Sequence, residues 1–325
     1  MSEVQPLLSV EGLRKWYPVR KGLLGKSYLK AVDGVSLSIR RGEILGLLGE
    51  SGCGKSTLGR LLIRLERPTA GQIFFAGQEV SHAQGKALKS FRRRVQIVFQ
   101  NPFDAFDPRY TIFDALHDPL RAHKIGESLT ERRRLISEVL KKAHLEPVDD
   151  YLERYPHQLS GGQIQRVASA RVALLTPDLI VADEPTSMLD LSVRADLLNL
   201  LLDMRSERGT AFLFITHDIA VARYVADRIA VMYLGVIVEE GPAEEIVQNP
   251  QHPYTLALIM SVPSLDPRVR KSPPNIGGEI PTPIDPPPGC RFASRCPLVT
   301  ERCHKVEPVL RYVSAGHKVA CHLVG

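Results

Sequence analysis

The sequence predicts an α/β fold: a mainly parallel sheet with helices on both faces. Three observations predict it. Gly49-Glu50-Ser51-Gly52-Cys53-Gly54-Lys55-Ser56 fits G-x-x-x-x-G-K-[ST], a phosphate-binding loop that joins a strand to a helix. Short apolar runs at Glu43 to Leu48, Val95 to Phe99, Leu179 to Ala182 and Phe212 to Ile215 have the length and content of buried strands. Segments of helical spacing separate these runs, and alternating strands and helices give a parallel sheet.

Length and charge bound the possibilities. A chain of 325 residues can bury a large core, and one large plus one small domain is expected. No run reaches the about 18 continuous apolar residues of a membrane-spanning helix. Met1-Ser2-Glu3-Val4 opens without the basic and apolar segments of a secretory signal. A cytosolic protein able to dock on a membrane partner is expected. The net charge of +6 suits polyanionic partners. Residues 246–325 hold nine Lys/Arg against five Asp/Glu, so much of the excess lies in the tail and not along a groove-reading helix. A solvated basic surface is the reading taken, with no nucleic-acid partner.

Along the chain, Leu7 to Val10 reads as a strand and Leu13 to Pro18 as a loop carrying the aromatic pair Trp16-Tyr17. Val19 to Lys30 is basic and contains glycine, as in a surface hairpin or loop. Ala31 to Ile39 alternates like a half-buried strand. After the glycine loop, Leu58, Leu61, Leu62 and Leu65 recur at helical spacing. Pro68-Thr69-Ala70-Gly71 turns into a strand at Gln72 to Ala76. Residues 101–158 read as a helical insertion, with Ile112, Leu116 and Leu120 and then Leu135, Val139 and Leu140 as apolar faces. Gly161 opens another helix, with Ile164, Val167 and Ala168 as its stripe. Leu191 to Met204 and Val221 to Ala226 are helical. Arg228 to Tyr233 and Val236 to Glu240 read as the last strands of the core. Beyond Gly241-Pro242, thirteen of the 24 prolines fall in 246–325, which excludes regular helix around Pro281 to Pro288. The expected domains are 1–245 and 246–325.

The glycine loop exposes inward-facing N–H groups beside a helix N-terminus, an anion cradle. Lys55 reaches β- and γ-phosphates, Ser56 can ligate Mg²⁺, and Thr57 can support a further phosphate. Gly49, Ser51, Gly52, Cys53 and Gly54 supply the turn. Asp183, ending an apolar strand, is the expected Mg²⁺ carboxylate. In an extended segment Glu184 points the other way, free to orient a water. Ser160-Gly161-Gly162 can be a second anion cradle, or Ser160 and Gln163 can simply form a capping box.

Leu159-Ser160-Gly161-Gly162-Gln163 matches the signature of ATP-binding cassette (ABC) ATPases. Around it, the other elements resemble the family in order. Tyr17 resembles the adenine-stacking aromatic, with Trp16 as a substitute. Gln100 resembles the Q-loop glutamine, Ser187-Met188-Leu189-Asp190 the D-loop, and His217 the switch histidine. The resemblance implies a P-loop ABC core with an antiparallel β subdomain, and ATP with Mg²⁺ held by Ser56, Gln100 and Asp183. It implies a head-to-tail pair of cassettes with Ser160, Gly162 and Asp190 facing the partner's nucleotide. Glu184 would be the general base, and His217 would contact the γ-phosphate and water.

Ala31-Val32-Asp33-Gly34-Val35, Gly49-Glu50-Ser51-Gly52-Cys53-Gly54, Asn101-Pro102, His252-Pro253-Tyr254-Thr255, Gly278-Glu279-Ile280-Pro281, Pro288-Gly289-Cys290-Arg291-Phe292 and Arg295-Cys296-Pro297 resemble the ATPase subunits of bacterial dipeptide/oligopeptide importers. That family also includes nickel and glutathione importers. It implies peripheral attachment at the cytoplasmic face of the membrane, two permease subunits, a same or different second ATPase, and a separate substrate-binding protein. A non-transport ABC ATPase is the other class, but the long coiled coil or second cassette of such proteins is not seen. Cys290, Cys296, Cys303 and Cys321 follow C-x₅-C-x₆-C-x₁₇-C. Zinc usually prefers closer pairs, an iron–sulfur cluster tolerates varied spacing, and free thiols are the third reading. The resemblance implies a [4Fe–4S] cluster; a structural role is expected for it, and Arg291, Arg295 and Arg302 either offset its negative charge or are plain surface charge.

Overall fold

The computed structural model describes residues 5–21, 25–187, 189–261, 276–278 and 281–324. They fall into two compact units, one of Met1–Arg40, Ile44–His82 and Phe214–Gly325, the other of Arg41–Glu43 and Ala83–Leu213.

The first unit begins with β1 (Leu8–Lys21) and β2 (Gly25–Ile39), paired antiparallel. β3 (Ile44–Leu48) is buried at every position, as expected for a strand covered on both faces. It leads through the glycine loop into α1 (Lys55–Leu62). β4 (Ala70–Phe75) pairs with β1, and β5 (Gln78–Glu79) with β4. The result is an antiparallel sheet of order β2-β1-β4-β5.

The second unit runs through α2 (Gly85–Arg94), β6 (Val95–Val98), α3 (Ile112–Ala122), α4 (Leu129–Lys142), α5 (Val148–Leu152), α6 (Gly161–Leu174), β7 (Leu179–Asp183) and α7 (Leu191–Arg208). β6 and β7 are parallel neighbours. Thr111 and Asp114 close a capping box at the start of α3, and Ser128 caps α4. Ile112, Leu116 and Leu120 of α3 meet Ile136 and Leu140 of α4 and Ile164 and Val167 of α6 in one core. β8 (Ala211–Thr216), buried throughout, carries the chain back towards the first unit.

There the chain forms α8 (Ile219–Val225), β9 (Arg228–Tyr233), β10 (Val236–Pro242), α9 (Ala243–Gln248), α10 (Pro253–Met260), α11 (Glu301–Lys305), β11 (Arg311–Ser314) and β12 (His317–Val319). β9 runs parallel to β3, and β10 antiparallel to β9. Among the described residues no helix is long and apolar enough to cross a membrane.

Two expectations are corrected. Trp16 and Tyr17 are not on a loop: β1 continues through them, pairing Trp16 with Lys30 and Tyr17 with Leu29. Pro18 is tolerated because β4 pairs with β1 only as far as Arg14, so the missing N–H deprives no second neighbour. Residues 22–24 of the expected hairpin lie outside the described residues. Nor is β10 the last strand, since β12 pairs with it at Glu239 and Glu240, and β11 pairs with β12. An edge strand leaves a row of unpaired backbone groups, and the tail supplies partners for them. Phe292 of the tail is buried in the same core as Val231, Tyr233, Val238 and Tyr254.

A buried polar knot holds this arrangement. The wholly buried Glu239 accepts from the N–H groups of Gln251 (2.7 Å) and His252 (3.0 Å) and lies 2.7 Å from His317 Nε2. A buried carboxylate is costly unless bonded in this way. His252 caps α10, its Nδ1 accepting from the Tyr254 N–H at 3.1 Å, which requires a neutral ring. Burial pushes its pKa down from 6.5 to about 4. Between these values the unfolded chain binds the extra proton, so stability is full above the upper one and falls as pH drops through the window. The expected loss from His252 is on the order of 3 kcal/mol, read by denaturant unfolding at neutral and acid pH. His252→Asn, which keeps an acceptor at the cap, should show a smaller acid loss; an equal loss would assign it to another group.

Candidate functional site

In the first unit, the loop after β3 is shaped by its glycines. Gly54 has φ +106, and a Cβ there would lie 2.1 Å from the Ala31 carbonyl oxygen. Gly49 meets the Met232 carbonyl in the same way, at 2.3 Å. Lys55 opens α1, is 5% exposed, and donates from Nζ to the carbonyls of Gly49 (2.7 Å) and Glu50 (2.9 Å). Cys53 is buried beside it; burial pushes its thiol pKa up, so it is a small neutral residue of the loop. Ser51 and Gly52 are exposed at the tip, and Ser56 and Thr57 are half-buried in the first turn of α1.

Strand alternation separates the two aromatic candidates. The Tyr17 hydroxyl donates to Glu66 and interacts with Thr57, with Lys15 Nζ 5.0 Å from its ring centroid. Burial, then Glu66, pushes its pKa up to about 12. Trp16 instead donates from Nε1 to Asp33 (3.1 Å) under the ammonium of Lys30. Tyr17 is thus the aromatic beside the glycine loop. His217 is exposed between β8 and α8, whose start is capped by Asp218.

In the second unit, Asp183 is the buried last residue of β7. The sequence reads Glu184 as extended, but its φ is +45. The direction of its carboxylate is therefore set by a turn and not by strand alternation, and a non-glycine residue in this region stores strain of the kind found at active sites. Gln100 donates from Nε2 to Glu184 Oε2 at 3.0 Å, which brings together two residues 84 positions apart. Ser160 caps α6, and its capping box with Gln163 is formed: Gln163 Oε1 accepts from the Ser160 N–H at 3.0 Å. Ser160 and Gly161 remain exposed, so the cap coexists with an open helix N-terminus. Asp190 precedes α7 at an exposed position; Met188 of the same motif lies outside the described residues.

The tail cysteines lie close enough to influence one another. Burial pushes the Cys290 thiol up to about 11, and the nearby Cys303, Cys321 and Cys296 act in the same direction. The Cys290 N–H also donates to the Cys303 carbonyl at 2.8 Å. Among the described residues no group of three or more His, Cys, Asp or Glu side chains is arranged to hold a metal ion. The arginines expected to offset a cluster's charge are partly committed elsewhere: Arg291 donates to Asp33, and Arg295 grips Glu50 through both carboxylate oxygens. Glu279 and Ile280 of the tail motif lie outside the described residues.

Three residues around the glycine loop were missed by sequence reasoning. Glu50 occupies a variable position of the motif, yet its side chain is held by Arg295 and its N–H by the Tyr254 hydroxyl at 2.8 Å. The signals were the segments Gly49 to Gly54 and Arg295-Cys296-Pro297 and, for Tyr254, the His-Pro-Tyr-Thr segment. The structure explains it physically: histidine as cap, proline at the first helical position, and tyrosine reaching the loop.

Comparison with known proteins agrees with these motifs. Residues 32–187 match the ABC transporter family, and residues 238–303 match the oligopeptide/dipeptide transporter C-terminal region. The chain is 46% identical over 324 residues to a dipeptide transport ATP-binding protein of Haemophilus influenzae, covering 99% of this chain and 98% of that protein. It is 43% identical to an oligopeptide transport ATP-binding protein of Bacillus subtilis, covering 98% of each. A solved ATP-binding cassette, dimeric and bound to ADP and Pi after hydrolysis, is similar with a TM-score of 0.66 and 32% identity, over 73% of this chain and 98% of that one. The chain therefore belongs to the ABC transporter ATPases, among the ATP-binding subunits of the dipeptide/oligopeptide transporter type.

Proposed function

We propose that this ATPase energises the import of short peptides through a membrane permease. The observation that carries the reading is the end-to-end similarity to dipeptide and oligopeptide transport ATP-binding proteins, including the C-terminal region that marks them. Nickel and glutathione import are the variants of the same architecture. Cargo is selected by the partner subunits, so the proposal assigns no peptide length. The working assembly is two ATP-binding subunits, alike or different, on the cytoplasmic face of two permease subunits, supplied by a substrate-binding protein.

The residues have the chemistry for this work. The glycine loop, Lys55 and Thr57 bind the triphosphate, and Tyr17 stacks on the base. Ser56, Asp183 and Gln100 offer oxygen donors of the kind Mg²⁺ prefers, and the ion would neutralise phosphate charge. Glu184 takes the proton of the attacking water, and Gln100, already bonded to it, aligns that carboxylate. His217 supports the γ-phosphate. Ser160 and Gly162, at an open helix N-terminus, and Asp190 serve the nucleotide of the facing cassette.

For the tail we propose a [4Fe–4S] cluster on Cys290, Cys296, Cys303 and Cys321. A single zinc ion needs four sulfurs about 2.3 Å from one point. The reading is supported by the C-x₅-C-x₆-C-x₁₇-C spacing, which a cluster tolerates, and by the influence of Cys303, Cys321 and Cys296 on Cys290. When bound, the cluster ties the tail segments together.

Glu184→Gln should keep MgATP binding and slow phosphate release at least about 100-fold; undiminished turnover would remove Glu184 from its role. Anaerobically purified protein should carry about four irons per chain and absorb in the visible, both lost in Cys303→Ser. Protein with bound zinc, or with no metal, would overturn the cluster.

A further inference from the structure

Glu50 puts a carboxylate inside a loop whose ligand is polyanionic. Left alone, that charge would oppose the triphosphate and compete with it for Lys55. Arg295 takes it up: Nη1 lies 2.7 Å from Oε2, and Nη2 lies 3.1 Å from Oε1. The pair is well shielded, with Arg295 9% and Glu50 24% exposed. A two-point guanidinium–carboxylate pair fixes direction as well as charge.

The main chain of Glu50 is fastened too. Its carbonyl accepts from Lys55 Nζ, and its N–H donates to Tyr254, whose wholly buried ring lies 5.5 Å from that of Phe292. Phe292 and Arg295 belong to one turn of the tail, joined by a hydrogen bond from the Arg295 N–H to the Phe292 carbonyl at 3.0 Å. Side chain and backbone of one loop residue are thus both anchored by the C-terminal region.

We propose that Arg295 is a positioning residue for ATP: by pairing with Glu50 it withdraws a negative charge from the phosphate cradle and sets the loop's shape. Nucleotide affinity then depends on the docked tail. The proposal rests on the reading of residues 49–57 as the ATP cradle.

The test is a double-mutant cycle on the full chain, reading KM and kcat for MgATP hydrolysis. Arg295→Met should raise KM about tenfold with a smaller change in kcat. Adding Glu50→Gln should bring KM back to within about twofold of the Glu50→Gln single variant, because no unpaired carboxylate remains. A purely structural role for Arg295 would raise KM whichever residue stands at 50. Arg295→Lys keeps the charge without the two-point geometry and should raise KM about threefold, which carries the test if methionine prevents folding. A wild-type KM in either variant, or no restoration by Glu50→Gln, overturns the proposal. Absence of saturable MgATP binding by the wild-type chain would instead contradict the cradle reading itself.

Discussion

Lys55 is a buried ammonium held by main-chain carbonyls. That interaction constrains the surrounding structure. A charge of this kind is costly without close partners, so Gly49 and Glu50 must turn their oxygens inward. The turn brings the loop backbone close to Met232 and Ala31, where only glycine fits at Gly49 and Gly54. The loop must also be backed by rigid neighbours, and these are the parallel pair β3 and β9 and the aromatic group of Tyr233, Tyr254 and Phe292. The carbonyls that hold Lys55 are weaker partners than a phosphate, which leaves the ammonium suited to exchange them for the triphosphate.

The tail is part of the same solution. Its proline-rich composition argues against regular structure, yet β12 pairs with the edge of β10 and Phe292 enters the core. Glu239 explains how a polar residue can occupy a fully buried strand position. Its carboxylate joins β10 to the start of α10 through two backbone N–H groups and to β12 through His317. The segment that carries the cysteines is therefore fastened to the ATPase unit by core packing, a strand pairing and two arginine–carboxylate contacts.

The structural features read correctly from sequence were local ones. The glycine loop, the strand ending at Asp183 and the cap at Ser160 each declare themselves within about ten residues, because turn chemistry, strand burial and capping act over that range. The α3 face of Ile112, Leu116 and Leu120 was legible for the same reason. What misled was local as well: the aromatic pair before Pro18 reads as a loop, while β1 continues because β2 pairs with it throughout. Glu184 reads as extended, and its backbone is left-handed.

The sequence by itself determined the local elements: a glycine loop after a buried strand, a carboxylate pair at a strand end, a signature segment opening a helix and a cysteine-bearing tail. These follow from residue types at short spacings, where the backbone leaves few alternatives. Only the tertiary structure set Tyr17 beside Thr57 and Trp16 on Asp33, joined Gln100 to Glu184, and set Arg295 on Glu50 across 245 positions. Side-chain pairing at such separations depends on which surfaces meet when strands and helices pack, and short-range pattern carries no record of that.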